Sequence, residues 1–126
     1  MKDELKRDLQ TSLTEEKALL ERQLSEIGVK DETSDEWLAT PERVEHTSDE
    51  NDLADKSEDF EERTATINTL GARLKEVLHA LTKIETADAT FGICEVNGEE
   101  IEEDRLRANP ASRTCIVHID TPVDAL

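Results

Sequence analysis

Between residues 2 and 27 the apolar positions Leu5, Leu9, Leu13, Leu20, Leu24 and Ile27 recur at spacings of four, four, seven, four and three. That is one stripe along a helix, with Lys, Arg, Glu and Gln on the remaining faces. Gly28 follows directly, and because a left-handed C-cap costs glycine no steric penalty, the helix is expected to stop there. At about 1.5 Å per residue it would span roughly 40 Å. The stripe is lost over residues 29–49, a stretch rich in Asp, Glu, Ser and Thr with Pro41 and no leucine periodicity. A short helical turn is expected around residues 34–39, with Trp37 pinning the loop back onto the helices. A second helix begins near Asp49, where Thr47 and Glu50 fit a capping box and Asp49 and Asp52 suit the positive end of the helix dipole. After Phe60 the positions Ile67, Leu70, Leu74, Val77, Leu81 and Ile84 alternate three and four, a heptad seam running to about Asp88.

Two seamed helices joined by a loop predict a mainly α fold, a long antiparallel helical hairpin of coiled-coil type over residues 1–89. Setting Leu5 against Ile84 puts Ile27 opposite Glu62 and makes the acidic loop, residues 28–52, the far tip. After Ala89 the pattern changes to FGICEVNGEEIEEDRLRANPASRTCIVH. Gly92 and Gly98 permit tight turns, residues 101–107 suit a short helix, and Asn109-Pro110 closes it. Residues 90–119 thus form a small zinc-ribbon-like module, with Phe91, Ile93, Val96, Ile101, Leu106 and Ile116 as its apolar residues. Residues 120–126 are expected to be a loose tail.

Composition narrows the function. Only 35% of residues are hydrophobic and 2% aromatic, too little for a thick core and suited to solvated helices with narrow seams. A net charge of −17 repels nucleic acid and anionic membranes, so neither is an expected partner, whereas a basic protein surface would attract the chain. Met1-Lys2-Asp3-Glu4 leads into mixed charge without an apolar signal core, and no apolar run reaches membrane-spanning length. The expected location is the cytoplasm, where two cysteines remain reduced.

Those cysteines carry the candidate chemistry. The pattern Cys94-x-x-Asn97-Gly98 followed by Cys115-x-x-His118 has the spacing of two zinc knuckles. The metal set would be Cys94, Cys115 and His118, with Asn97 at the fourth ligand position, where a neutral amide oxygen is a poor zinc donor. Three readings fit this pattern: a weakened three-ligand zinc site, a metal-free ribbon held by its apolar residues, and a Cys94–Cys115 disulfide or redox pair. His46 and His79 are isolated and read as ordinary surface residues.

The same 28 residues resemble the zinc finger of the DksA/TraR family: aromatic-Gly-Ile-Cys, then Glu and Gly, Ile followed by Arg-Leu, Ala-x-Pro, and Thr-Cys. The resemblance implies a helical hairpin ahead of the finger and a transcription regulator that inserts its coiled coil into the secondary channel of bacterial RNA polymerase. It also implies an Asp-x-x-Asp-x-Ala tip motif acting near the polymerase active centre. Here that motif would be Asp52-Leu53-Ala54-Asp55-Lys56-Ser57, with Ser57 in place of alanine. The family's commonest ligand set is four cysteines, so two ligand positions depart from it. An alternative reading is an acidic helical-hairpin adaptor with no polymerase role. An enzyme is not expected, because neither a Cys-x-x-Cys pair nor a nucleophile–base constellation is visible.

Overall fold

The computed structural model describes residues 1–34, 36–40 and 50–123, and for residues 50–57 the backbone alone. The chain is mainly helical. Helix α1 spans Asp3–Ile27, strand β1 Gly28–Lys30, strand β2 Trp37–Ala39, helix α2 Glu50–Glu85 and helix α3 Glu103–Ala108, before a 3-10 turn at Ile116–His118. It divides into two compact units, one made of Met1–Lys17 with Lys75–Leu126, the other of Ala18–Leu74.

In the Ala18–Leu74 unit the leucine stripe is the core: Leu20, Leu24, Ile67 and Leu74 are buried, and Leu24 is wholly so. Burying one such side chain stabilises the fold by about 1.5–3 kcal/mol. Ile27 and Leu70 lie at the margin and Phe60 is exposed, so the apolar seam of α2 starts at Ile67. The expected helical turn at 34–39 is instead a β-hairpin. β1 and β2 pair antiparallel, with Gly28 opposite Ala39, Val29 opposite Leu38 and Lys30 opposite Trp37. Asp31 turns the chain between them. Its carboxylate accepts from the Thr33 N–H at 3.0 Å, the Thr33 hydroxyl at 2.8 Å and the Ser34 hydroxyl at 3.0 Å. These bonds favour the charged form and hold Asp31 below the usual carboxylate range, the Thr33 N–H contributing most. Trp37 is half-buried.

Gly28 is used differently from the expectation as well. It ends α1, but without a left-handed conformation; positive φ among glycines occurs at Gly92 and Gly98. What excludes a side chain at Gly28 is space. A Cβ there would lie 2.5 Å from the Leu38 carbonyl oxygen and 2.7 Å from Ile67 Cδ1. The position lets β2 and α2 close over the end of α1.

In the other unit Leu5, Leu9 and Leu13 of α1 and Val77, Ala80, Leu81 and Ile84 of α2 are buried, together with Phe91, Ile101 and Leu106. α2 stops at a Schellman-type end: the Ala87 N–H donates to the Ile84 carbonyl at 3.1 Å and the Asp88 N–H to the Lys83 carbonyl at 2.8 Å. The left-handed residue is Ala87, at φ 54°. Beyond it Asp88 accepts from the N–H and hydroxyl of Thr90 at 2.8 and 2.7 Å and turns the chain into the ribbon. Ile116, expected in the ribbon core, is 56% exposed, because the 3-10 turn directs the Cys115–His118 segment by its polar ligands rather than by an apolar face. Among the described residues no helix is long and apolar enough to cross a membrane.

Candidate metal centre

Two knuckles bring the chemistry together. In the first, an isolated β-bridge joins Ile93 to Glu100, the Cys94 N–H donates to the Glu99 carbonyl at 2.7 Å, and the Gly98 N–H returns to the Cys94 carbonyl at 2.9 Å. Gly98, at φ 73°, takes the left-handed position that closes this loop. In the second, the His118 N–H donates to the Cys115 carbonyl at 3.0 Å, folding His118 back over its own knuckle.

The sequence-expected ligands Cys94, Cys115 and His118 are assembled: their ligand atoms all lie within 4.8 Å of one another. His118 Nδ1 stands 3.2 Å from Cys115 Sγ and 3.9 Å from Cys94 Sγ. With zinc bond lengths of about 2.0–2.3 Å, tetrahedral ligands sit roughly 3.3–3.8 Å apart, so the three donors fit that ion with little movement. Both cysteines are free thiols and buried, while His118 is half-buried. Burial pushes the Cys94 thiol up, but the N–H groups of Cys115, Asn97 and Val96, with help from the Cys115 thiol, outweigh it and bring it down to about 7. A thiol so placed is ready to be held as a thiolate, the form a metal binds.

Asn97 is not a fourth ligand in this arrangement. Its Oδ1 accepts from the Glu99 N–H at 3.0 Å, and its Nδ2 donates toward Cys115 Sγ at 3.7 Å. The amide meets the cluster with hydrogens rather than lone pairs.

Around the centre, charged side chains take over from apolar ones. Arg113 pairs with both carboxylate oxygens of Glu95, Nη2 to Oε1 at 2.9 Å and Nε to Oε2, and reaches Glu76 of α2 at 3.5 Å. The hydrogen bonds from Arg113 hold Glu95 below its usual carboxylate range. Arg105 on α3 donates to the Thr114 carbonyl at 2.6 Å and its hydroxyl at 3.2 Å, bracing the residue before Cys115. Arg107 ties α3 to Asp8 of α1 at 3.4 Å and, within α3, pairs with Glu103 at 3.1 Å. Of these arginines the sequence marks only Arg105, within the Arg-Leu pair of the finger resemblance, and it names the partners of none of them. The other expected site residues, Asp52, Asp55 and Ser57, fall in the first turns of α2. Their side chains lie outside the described residues, as do Thr47 and Asp49 of the expected cap.

Comparison with known proteins bears on the centre and on the fold. Residues 89–117 match the model of the prokaryotic DksA/TraR C4-type zinc finger. A protein of Aquifex aeolicus (strain VF5), described as uncharacterised, is 54% identical over 44 residues, which cover 35% of this chain and 29% of that protein. The structure of transcription factor DksA2 from Pseudomonas aeruginosa superposes with a TM-score of 0.72 at 22% identity, covering 95% of this chain and 84% of that one. At that identity the likeness establishes the fold, and the finger supplies the sequence relationship. Two thiols and an imidazole are thus held in the knuckles of a segment that matches a DksA/TraR-type finger, with the four-cysteine set of that finger reduced to Cys94 and Cys115 beside His118.

Proposed function

We propose that the chain is a non-enzymatic, cytoplasmic transcription regulator that binds bacterial RNA polymerase through its secondary channel. In this reading α1 and α2 form an antiparallel hairpin, and Asp52 and Asp55, with Ser57, act from its tip near the active centre. The observation that carries the proposal is a DksA/TraR-type finger at residues 89–117 in a chain that shares the DksA2 fold over 95% of its length. The net charge of −17 supports a basic protein partner and speeds the encounter with it. Regulation then follows from differential affinity: a ligand that binds some polymerase conformations more tightly than others shifts their populations without catalysing a step.

The test pairs binding with transcription. The wild-type chain is expected to co-purify with core polymerase at low salt and to be released as salt is raised. Asp52→Asn/Asp55→Asn is expected to keep most of that binding and lose the effect on transcription. Unchanged regulation by the double variant would remove the assigned role of the tip. Failure of the wild type to bind core polymerase would return the chain to the adaptor reading.

A further inference from the structure

The fourth corner of the metal centre is where this chain departs from a four-cysteine finger, and Asn97 shows how. An asparagine amide can present either its oxygen or its NH2 to a cluster, and the choice is fixed by the partner of the other end. Here that partner is the Glu99 N–H, 3.0 Å from Oδ1. Turning the amide over would set the NH2 against a backbone N–H, two donors facing one another. The Nδ2 group is therefore the end that faces Cys115 Sγ, at 3.7 Å. An amide NH2 has no lone pair to give a metal, but it donates a hydrogen bond to a thiolate. Residue 97 is also exposed, whereas Cys94 and Cys115 are buried. The side of the centre that lacks a protein donor is thus the side nearest solvent.

We infer that the centre holds zinc by Cys94, Cys115 and His118, with Asn97 as an outer hydrogen-bond donor to Cys115, and keeps one coordination position for a small monodentate ligand from solution. The chemical class follows from charge and softness. Two thiolates and a neutral imidazole leave a divalent zinc with no net charge, so the position accepts an anionic donor at less electrostatic cost than a site already carrying three thiolates. The soft thiolate of a low-molecular-weight thiol suits such an ion, with imidazole as a neutral substitute. The inference concerns the finger alone and stands or falls independently of polymerase binding.

Cobalt(II) in place of zinc makes the ligand set visible. The full chain is loaded with one cobalt and titrated with 2-mercaptoethanol, and separately with imidazole. The expected wild-type result is a saturable change in the visible bands with cobalt still bound. With the thiol, the thiolate-to-metal absorption should rise by roughly half as three sulfurs replace two. Asn97→Cys should show that three-sulfur spectrum without added thiol and give no further response, with far-ultraviolet circular dichroism confirming that it is folded. Asn97→Ala should retain cobalt and the response, with affinity lowered by roughly tenfold, the effect of losing an outer-shell partner. A wild-type spectrum indifferent to both probes would overturn the inference. So would an Asn97→Ala variant that responds when the wild type does not, since that would make Asn97 a ligand. Failure of the wild type to take up cobalt stoichiometrically, or an unchanged spectrum in His118→Ala, would overturn it as well.

Discussion

Along α1, Leu5, Leu9, Leu13, Leu20 and Leu24 are each no more than 7% exposed, and none needs a named partner to be placed there. Between Phe91 and His118 burial is carried differently. Phe91, Ile101 and Leu106 supply a small apolar floor, while the rest is fixed by Arg105 on Thr114, Arg113 on Glu95, and the converging thiols. The helical stripes are non-directional and tolerate exchange among apolar residues of similar volume. The ribbon is directional, because each hydrogen bond specifies an atom and an angle, and a donor or acceptor left without its partner costs more than the bond contributed. A narrow apolar seam can therefore stabilise the helices, while the small ribbon module relies more on polar fixtures.

The contrast can be broken most forcefully from the apolar side. Leu24→Ala empties a fully buried site and should lower unfolding stability by about 3 kcal/mol, seen as a lower urea midpoint with the slope unchanged. Next, Gly28→Ala forces a methyl against the Leu38 carbonyl and Ile67, costing about 2 kcal/mol by the same measurement. On the polar side, Arg105→Met leaves the Thr114 carbonyl without its donor. It should cost about 1.5 kcal/mol, with amide exchange rising in the ribbon before it rises in α2.

Two smaller changes sharpen the contrast by improving the backbone. Ala87 occupies a left-handed position that glycine prefers, whereas Gly71 sits inside α2 with nothing within 4 Å of an added Cβ. Ala87→Gly and Gly71→Ala should each raise stability by about 1 kcal/mol, read as higher melting temperatures. The least effect is expected from pH. Glu95 titrates below its ordinary value in the folded protein, so its contribution is complete above the unfolded carboxylate range and fades as pH falls through the lowered folded value. Glu95→Gln should flatten that acid limb of stability against pH, and an unaltered limb would show that the Arg113 pair has no part in it.

The helices were legible because a period near 3.6 leaves a repeated mark, and Leu5 through Leu24 and Ile67 through Ile84 carry it over many turns. The hairpin at Gly28–Lys30 and Trp37–Ala39 was not, because three residues are too few to establish an alternation and its turn depends on which atoms Asp31 meets. Gly28 was recognised as the end of α1 for a reason that belongs to Ala87: the left-handed cap lies at the end of α2, on a residue whose identity gives no sign of it. The trio Cys94, Cys115 and His118 was legible from spacing, but the direction of the Asn97 amide was not, since it is set by the Glu99 backbone. Ile116 was misread as core because hydrophobicity alone does not say which way a 3-10 turn faces.

The crowding at Gly28 also constrains how the gene can drift. Every missense change at that codon, whatever its polarity or charge, installs a Cβ where the Leu38 carbonyl and Ile67 already stand. Val29 beside it is 53% exposed and exchanges more freely, so against its neighbour Gly28 should stand out in a mutational scan as an intolerant column. Such a column would ordinarily be taken for a binding residue. Here it would mark a place where two segments of backbone pass too closely for any side chain to come between them.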